Sequence, residues 1–359
     1  MKNRILHVIP TLKKDGAETQ LVILLRELKK SIFSIDLVTF DSYSEGKNIK
    51  KDLVDLGIEI DEYKKNILST ILFLYKKIKK EDYDLVHSHL PRADIAVGIV
   101  SILLKSKHII SVHAQYGTRK NESKVKYFFS FPVWIIFVNK SDKVIAISEK
   151  VRSWLTSNKV IKDIDVILYG VVPKTKFHSQ ENNQQIGMAA RFLPWKGWVN
   201  LLDVTAFLNG LGFSFNLHFA GPDDIGYKEE LRLLVKNKGL EEIVVFHDEF
   251  EDIYEFFDLV NIFIFLSESE GFGLVLLEAM SYGVPIICSD IAPINEFVDL
   301  ETGILVDRND TENIANKIIQ LLSNPEELFS MQEKQKIKVS DELNAHIMAT
   351  KVKELYYLH

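Results

Sequence analysis

The architecture of this chain is clearest in residues 262–280, which read Ile-Phe-Ile-Phe-Leu-Ser-Glu-Ser-Glu-Gly-Phe-Gly-Leu-Val-Leu-Leu-Glu-Ala-Met. The uninterrupted apolar run from Ile262 to Leu266 predicts a strand that is buried on both faces. A turn with two glycines follows, and a second apolar run that begins at Leu274 predicts a helix. This succession of strand, glycine turn and helix is typical of a parallel sheet covered by helices.

The same alternation runs along most of the chain. Ile5–Ile9, Leu85–His89 and His108–His113 are predicted strands of a first series, and predicted helices lie between them. Gln185–Ala190 and Phe213–Ala220 begin a second series of the same kind. We therefore predict an α/β protein built of two doubly wound, Rossmann-like domains that face a cleft. In such sheets, ligands bind beyond the carboxyl ends of the strands.

A polar stretch near residue 180 separates the two series. We predict an N-terminal domain over residues 1–172, a linker over residues 173–185 and a C-terminal domain over residues 186–339. The remaining residues, 340–359, are predicted to form a helix that either caps the second domain or crosses back onto the first. The length of 359 residues fits two domains of about 150 residues or more.

Composition excludes several classes of protein. The chain has one cysteine, Cys288, which excludes an intrachain disulfide and a cysteine zinc cluster. Residues 1–180 carry a net charge of +11, whereas residues 181–359 carry −17. The basic half fits an anionic membrane or substrate, and it fits a solvated lysine-rich surface equally well. A nucleic-acid partner is not predicted, because the basic residues form no motif known for nucleic-acid binding.

No stretch predicts a targeting or membrane-spanning segment. The apolar run at Ile5–Ile9 contains His7 and ends at Pro10, so it is too short for a signal peptide. The longest apolar stretch, residues 127–138, is shorter than the ~20 residues needed to cross a bilayer. We expect a cytoplasmic protein, and peripheral contact with the inner face of the cell membrane is left open.

Polar residues that follow N-terminal strands are the first candidates for a site. Asp15 and Gly16 open a helix, where a glycine permits close approach of a ligand and the helix start favours an anion. His89 and His113 each end a strand, so they are predicted to point into the cleft. A plain turn glycine and two core histidines are the alternatives. No third ligand stands at metal spacing, so no metal site is predicted.

Two cations and two acids are the candidates in the C-terminal half. Arg191 and Lys196 follow a strand and are the only cations within residues 177–227. They suit a diphosphate, which a guanidinium binds as a fork and an ammonium as a point charge; exposed loop charges are the alternative. Glu270 stands at the glycine turn, and Glu278 lies within the following helix. A carboxylate in an apolar helix needs a partner, for which sugar or ribose hydroxyls would serve.

Together these stretches resemble glycosyltransferase family 4, whose members have the GT-B fold. Glu270 to Glu278 is similar to the Glu-x7-Glu element of that family, and Arg191 with Lys196-Gly197 is similar to its Arg/Lys clamp. Residues 15–18 match its Gly-Gly-Ala-Glu loop, although Asp15 replaces the first glycine. Further matches lie at residues 144–148, 221–222, 284–290 and 293–296, whereas Tyr169-Gly170-Val171-Val172 departs from the usual Asn-Gly-Val-Asp.

The resemblance implies a role for each candidate residue. Gly16, Arg191 and Lys196 would bind the donor diphosphate, Glu278 would hold the ribose, and Glu270 would hold the transferred sugar. Backbone amides of the turn would add contacts to sugar and phosphate, from Gly271, Phe272, Gly273 and Leu274. The implied catalytic residues are His113, beside the reacting sugar, with Glu270, Arg191 and Lys196. Asp15 and His89 would lie on the acceptor side.

The implied reaction moves a hexosyl or N-acetylhexosaminyl group from a nucleotide diphosphate, with UDP favoured, to a hydroxyl of a glycan or lipid-linked glycan. Because no carboxylate is obviously placed as a nucleophile, we expect retention by front-face attack, with the diphosphate helping to take the acceptor proton. Asp-x-Asp triplets at residues 82–84 and 163–165 precede strands, so we expect no metal and no other cofactor. The alternatives are an epimerase or hydrolase of the same fold and a noncatalytic glycan- or nucleotide-binding protein.

Two segments of the N-terminal half are candidates for contact with a membrane. Residues 64–80 carry six lysines around the apolar Ile67–Leu74, and residues 127–138 are rich in aromatic side chains. Each fits an interfacial helix, and each fits a core helix with snorkelling lysines. An interfacial helix would favour an acceptor linked to polyprenyl diphosphate. A role in bacterial capsule or lipopolysaccharide synthesis follows by analogy with the family.

Overall fold

The structure, a computed structural model, describes residues 3–41, 48–116, 124–174 and 184–357, without the side chains of residues 124–129. The chain divides into two compact units. Unit 1 is Met1–Gly170 together with Ala345–His359, and unit 2 is Val171–Asn344. The first division thus lies two residues before the predicted end of the N-terminal domain at residue 172. Most of the predicted linker, residues 175–183, lies outside the described residues.

Unit 1 contains a parallel sheet of seven strands in the order β3-β2-β1-β4-β5-β6-β7. Its strands are β1 (Arg4–Ile9), β2 (Ser34–Thr39), β3 (Glu59–Glu62), β4 (Leu85–His89), β5 (His108–Val112), β6 (Lys143–Ala146) and β7 (Ile164–Val166). The strand order reverses between β1 and β4, which places a topological switch point there. Its helices are α1 (Gly16–Leu28), α2 (Lys50–Asp55), α3 (Ile67–Glu81), α4 (Pro91–Leu104), α5 (Lys124–Lys140), α6 (Glu149–Ser157) and the C-terminal helix.

Unit 2 contains a parallel sheet of six strands in the order β10-β9-β8-β11-β12-β13. Its strands are β8 (Gln185–Ala189), β9 (Asn216–Ala220), β10 (Val244–Phe246), β11 (Ile262–Phe265), β12 (Ile286–Ser289) and β13 (Ile304–Val306). Its helices are α7 (Trp198–Gly210), α8 (Tyr227–Asn237), α9 (Ile253–Phe257), α10 (Leu274–Tyr282), α11 (Thr311–Ser323) and α12 (Pro325–Asp341). Two parallel Rossmann-like sheets were predicted, and the observed topology confirms them.

The end of the chain differs from the prediction in one respect. The polar stretch before residue 340 is helical and forms α12, which extends to Asp341. A separate helix, α13 (Ala345–Tyr357), follows and packs on α1 of unit 1. Polarity concealed α12 because its buried face is narrow and includes the amides of Gln332 and Gln335, which bond to backbone carbonyls.

Side-chain alternation along the strands of unit 1 separates two cores. Ile5 and Ile9 of β1 pack with α1 and α13, whereas Leu6 and Val8 pack with α3 and α4. Since successive side chains of a strand point to opposite faces, His7 lies on the face covered by α1 and α13. This alternation positions the polar residues described below.

Candidate active site

In unit 2, the loops after β8 and β11 are joined at the switch point of the sheet. Gly197 has φ +93°, and a Cβ there would lie 2.2 Å from the carbonyl oxygen of Leu266, so only glycine permits the contact. The backbone N–H of Glu268 donates to the carbonyl of Trp195 at 2.8 Å. β8 and β11 are neighbours, and the strands that follow them in the sheet extend in opposite directions from this pair. The crevice beyond the carboxyl ends of such a pair is where ligands bind in doubly wound sheets.

The joined loops bring Lys196 and Glu270 into contact. Lys196 ends a single 3₁₀ turn, Pro194–Lys196, and its Nζ lies 2.6 Å from Oε1 of Glu270. The two side chains retain 16% and 10% exposure. The two residues were assigned to different parts of the donor from the sequence, and the structure brings them together as a mostly buried ion pair.

Arg191, the other predicted cation, forms an exposed ion pair. Its Nη2 lies 2.7 Å from Oδ2 of Asp224, which follows β9. Exposed pairs of this kind contribute about 0–1 kcal/mol, so the guanidinium can exchange this partner for another anion at little cost.

The predicted turn at residues 271–274 leads directly into α10. Gly273 is the N-cap residue with φ +96° and offers no side chain to the first N–H groups of the helix. The N–H groups of Leu274 and Val275 can therefore donate to a ligand, whereas that of Leu276 already donates to the carbonyl of Gly273 at 2.9 Å. Phe272 is buried and stacks on Phe297, with ring centroids 4.8 Å apart, which fixes the turn.

Glu270 and Glu278 occupy different kinds of structure. Glu270 and Gly271 belong to the loop, and Glu278 is the fifth residue of α10 and half-buried. The two carboxylates therefore do not share a helix face. This arrangement suits contacts with two different groups of one ligand.

A further cation on a loop after a strand of unit 2 was not singled out from the sequence. Arg308 follows β13, and its guanidinium contacts Glu268 at 3.2 Å and Asn200 at 2.6 Å. Asp224 was missed as well. The signal for both was the one that found Arg191, namely a charged residue within a few positions of the end of a strand.

In unit 1, Gly16 is the exposed first residue of α1. A Cβ at Gly16 would meet no atom within 4 Å, so there is room for a ligand beside it. Asp15 is the N-cap residue and is exposed, but its carboxylate does not cap the helix. Glu18, the last residue of the same motif, is buried, and burial raises its pKa to about 7.

His113 and His89 are neighbours in unit 1. Nδ1 of His89 lies 3.0 Å from Nε2 of His113, and Nδ1 of His113 lies 2.7 Å from the hydroxyl of Tyr169. Burial lowers the pKa of His113 to about 4 and that of His89 well below its usual value, so both rings are neutral at pH 7. His89 is only 1% exposed, so the structure places it inside unit 1 and not on an open acceptor surface.

The sequence showed no third ligand at metal spacing, but the fold brings two further histidines, His7 and His87, next to His89. His7 of β1 pairs in register with His87 of β4, and the ligand atoms of His7, His87 and His89 lie within 4.8 Å of one another. The ring of His89 stacks on those of His7 and His87, with interplanar angles of 12° and 30°, whereas the rings of His7 and His87 are tilted by 40°. The ring nitrogens of these three histidines are already bonded, either to one another or to His113, Tyr356 and Ser111. The described contacts are those of a hydrogen-bonded cluster.

Two family models match adjacent parts of the chain. The model of "Glycosyltransferase Family 4" matches residues 14–174, and that of "Glycosyl transferases group 1" matches residues 173–338. An uncharacterized glycosyltransferase of Methanocaldococcus jannaschii is 29% identical over 84% of this chain and 83% of its own length. The capsular polysaccharide biosynthesis glycosyltransferase CapM of Staphylococcus aureus is 22% identical over 92% of this chain and 91% of its own.

Solved structures agree with this at the level of the fold. Anabaena HepE in complex with UDP superposes with a TM-score of 0.85 at 18% identity, over 99% of this chain and 100% of that one. HepE in complex with UDP-glucose gives a TM-score of 0.82. Both units of this chain are thus matched by glycosyltransferase sequence and by the GT-B fold. The chain belongs to glycosyltransferase family 4 and is a glycosyltransferase.

Proposed function

We propose that this glycosyltransferase transfers a sugar from a UDP-sugar to a hydroxyl of a glycan or lipid-linked glycan, with retention and without a metal ion, in the synthesis of a surface polysaccharide. The contact between Lys196 and Glu270 at the switch point of unit 2 carries the proposal. HepE, which was solved with UDP and UDP-glucose, supports UDP as the nucleotide, and the relative CapM supports the polysaccharide class.

The diphosphate is proposed to bind at Lys196 and Arg191. Lys196 is held beside Glu270, and a phosphate oxygen can become a second acceptor for its ammonium group without separating the pair. Arg191 would leave Asp224 for the diphosphate, with N–H groups at the start of α10 as further donors. Gly16 of unit 1 keeps the proposed role of permitting close approach to the same group.

Glu270 is proposed to bind hydroxyls of the transferred sugar and Glu278 those of the ribose. Glu270 has a second oxygen besides the one that accepts from Lys196, and a carboxylate accepts several hydrogen bonds. His113 is proposed to bond to the transferred sugar. Its two ring nitrogens are engaged within unit 1 by Tyr169 and His89, so a sugar hydroxyl would replace one of these partners and meet either a donor or an acceptor.

Retention is proposed to proceed by front-face attack. Glu270, a carboxylate beside the proposed diphosphate site, is already bonded to an ammonium group at 2.6 Å, which lowers its power as a nucleophile. The departing diphosphate would help to take the proton of the acceptor hydroxyl. Lys196 and Arg191 would stabilise the negative charge that grows on the leaving group, a contribution of several kcal/mol in a preorganised site.

An anionic membrane surface is the proposed location of the acceptor. Within the described residues, no helix is long and apolar enough to span a membrane. On α3, Leu68 and Leu72 are 71% and 61% exposed, although both are large and apolar. Five of the six lysines at residues 64–80 are also exposed, and the sixth, Lys77, pairs with Asp61. Each lysine near an anionic surface contributes about 1 kcal/mol of attraction.

The segment at residues 127–138 forms part of α5. Trp134 and Val138 are buried, whereas Val133 and Ile136 are exposed. Helix α4 packs against both α3 and α5, and its Leu103 is exposed as well. Exposed apolar side chains thus continue over neighbouring helices, which supports a broader membrane contact than α3 alone.

Binding and turnover test the proposal in sequence. In EDTA, UDP should raise the melting temperature of the wild type more than GDP or ADP, since a ligand at 100 times its Kd stabilises by ~2.7 kcal/mol. Lys196→Ala should abolish the shift. Lys238→Ala, which removes an exposed lysine paired with Asp203 at 2.8 Å, should not change it. Sugar transfer from the UDP-sugar should then continue in EDTA.

Each other result names an alternative. A shift with GDP or ADP alone would refute UDP and leave the family role intact. Conversion of the nucleotide sugar without an acceptor would indicate an epimerase or hydrolase. A shift without any turnover would indicate a noncatalytic binding protein, and activity lost in EDTA would refute metal independence.

Flotation with lipid vesicles tests the membrane contact. The wild type should bind vesicles of phosphatidylglycerol and phosphatidylethanolamine but not vesicles of phosphatidylcholine. Leu68→Ser with Leu72→Ser should weaken this binding. Leu233→Ser, at an apolar residue of unit 2 that is 63% exposed, is the matched control. Equal binding by all variants, or none by the wild type, would refute contact through α3.

A further inference from the structure

Seven polar side chains of unit 1 form one continuous chain of hydrogen bonds, called the histidine chain below. Its six contacts, in order, are Tyr169 hydroxyl to His113 Nδ1 (2.7 Å), His113 Nε2 to His89 Nδ1 (3.0 Å), His89 Nε2 to His7 Nδ1 (3.1 Å), His7 Nε2 to Tyr356 hydroxyl (3.4 Å), Tyr356 hydroxyl to His87 Nδ1 (2.6 Å) and His87 Nε2 to Ser111 Oγ (2.8 Å). Both ring nitrogens of all four histidines are used.

The period of the strands brings these residues to one face of the sheet. His7 pairs with His87 and His89 pairs with Ser111 in register, and residues two apart along a strand share a face. Tyr356 comes from α13, the helix that covers this face. Its hydroxyl reaches both His7 and His87, so the last helix of the chain closes the histidine chain.

Proton counting restricts the arrangements that the histidine chain can adopt. Burial lowers the pKa of all four histidines and raises the pKa of Tyr169 and Tyr356, so each of the seven groups is neutral and carries one proton. Each of the six contacts needs one proton. All are satisfied if every proton points towards Ser111, which puts the His113 proton on Nε2, or if every proton points towards Tyr169, which puts it on Nδ1.

A reversal within the histidine chain is costly. A reversal would leave a buried proton without an acceptor, make two donors face each other, or require a buried histidine to become charged. Each of these is unfavourable inside a protein. Hydrogen bonds that point the same way also polarise one another favourably. The seven groups are therefore expected to change direction together or not at all.

We propose that the histidine chain fixes which ring nitrogen of His113 carries the proton, with Tyr356 of the C-terminal helix as a positioning residue. The proposal rests on the proposed function only for the consequence, since His113 is the residue proposed to contact the donor sugar. A fixed tautomer decides whether the ring nitrogen that exchanges its partner for the sugar donates or accepts. The C-terminal helix would thereby tune a group that it does not touch.

The tautomer of His113 can be read directly by NMR. In protein labelled with ¹⁵N-histidine, long-range ¹H–¹⁵N spectra distinguish a protonated ring nitrogen from a bare one, and His113→Gln assigns the signals. The wild type should show one tautomer of His113. Tyr356→Phe keeps the ring that packs on Phe33 at 5.7 Å but removes two contacts, so it should change the tautomer ratio roughly fivefold or more.

Two further variants make the test decisive. Ser111→Ala alters the end of the histidine chain with a minimal change of volume, so it should also change the ratio and serves if Tyr356→Phe does not fold. His108→Gln is the matched control, because His108 is buried on the same strand as Ser111 but bonds to Ser88 instead. It should leave the His113 signals unchanged.

Three results would overturn the proposal: equal populations of both tautomers in the wild type, no change of the ratio in folded Tyr356→Phe and Ser111→Ala, or stoichiometric Zn²⁺ binding that His7→Gln abolishes. The last result would make the cluster a metal site. In transfer assays, Tyr356→Phe should lower kcat and leave UDP affinity unchanged. A wild type without transfer activity would refute the proposed function and leave the NMR result valid.

Discussion

Lys196 Nζ lies 2.6 Å from Glu270 Oε1, which joins the loop after β8 to the loop after β11 across the switch point of unit 2. The contact means that a residue proposed for the diphosphate and one proposed for the sugar are held together before a donor binds. Each charge has a partner of opposite sign, and this matters because an unpaired charge in a mostly buried position is costly. A donor that gives Lys196 a phosphate contact leaves this pairing intact.

Double-mutant analysis should detect the coupling of this pair. Lys196→Met and Glu270→Met should each lower the free energy of unfolding by ~1–3 kcal/mol, because each leaves its partner without this hydrogen bond. The double variant should lose at least ~1 kcal/mol less stability than the two single variants lose together, as measured by urea unfolding. The exposed pair of Lys238 and Asp203 is the control and should show a smaller coupling. Additive losses at Lys196 and Glu270 would contradict the role of the contact.

Asp224 should compete with the donor for Arg191. Asp224→Asn should raise the affinity for UDP, by up to about fivefold, because it releases the guanidinium from an exposed pair. Arg191→Lys should lower the affinity by about tenfold, since the fork of hydrogen bonds is lost. Calorimetric titration measures both. Glu229→Gln, which releases Arg232 from a similar exposed pair, should have no effect, and a lower affinity in Asp224→Asn would show that Asp224 itself binds the donor.

Gly197 should tolerate no side chain. Gly197→Ala puts a Cβ 2.2 Å from the carbonyl of Leu266 at φ +93°, so we expect a loss of more than ~2 kcal/mol of stability together with weaker UDP binding. Gly210→Ala, at the end of the helix that begins after Gly197, meets no atom within 4 Å and should stabilise by ~0.5–1 kcal/mol. Melting temperatures decide this, and an unchanged value for Gly197→Ala would refute the close approach of the two loops.

Buried histidines should make the protein sensitive to acid. Burial lowers the pKa of His108 to about 3, below its ordinary value of 6.5, so the folded state binds fewer protons than the unfolded state between these values. Its contribution to stability is therefore present above pH 6.5 and is lost as the pH falls, by about 1.4 kcal/mol per pH unit. His108→Gln should reduce the loss between pH 6 and pH 5 by about this amount in urea unfolding. An equal loss in both proteins would contradict the neutral buried ring.

Asp94 should act with the opposite sign. It is buried, accepts from Ser88 and Trp134, and burial raises its pKa to about 7 from 3.8. Its contribution to stability is fully present below pH 3.8 and is lost as the pH rises through 7. When the pH falls, this contribution therefore offsets part of the stability lost through the buried histidines. Asp94→Asn should therefore steepen the loss between pH 6 and pH 5 by about 1.4 kcal/mol, and a shallower loss would contradict the raised pKa.

Local patterns were enough to predict both sheets and to place several candidate residues at the ends of strands. Apolar runs, glycine turns and residues at strand ends are visible within about ten residues, and they located Arg191, Lys196 and Glu270 on loops after strands. They did not reveal α12, because a helix with a narrow and partly polar buried face has a weak pattern. Nor did they reveal Arg308 and Asp224 as partners in unit 2, although both follow strands.

Pairing between distant residues was decided only by the tertiary structure. Lys196 meets Glu270 from 74 positions away, and His87 meets Tyr356 from 269 positions away. His89 was predicted to point into the cleft, with a core histidine as the alternative. It is buried because β1 lies beside β4 and α13 covers both, and neither neighbour is encoded near residue 89. The alternation of apolar and polar side chains is a property of a few consecutive residues. The burial and ion pairing of a residue depend instead on which distant segments the fold packs against it.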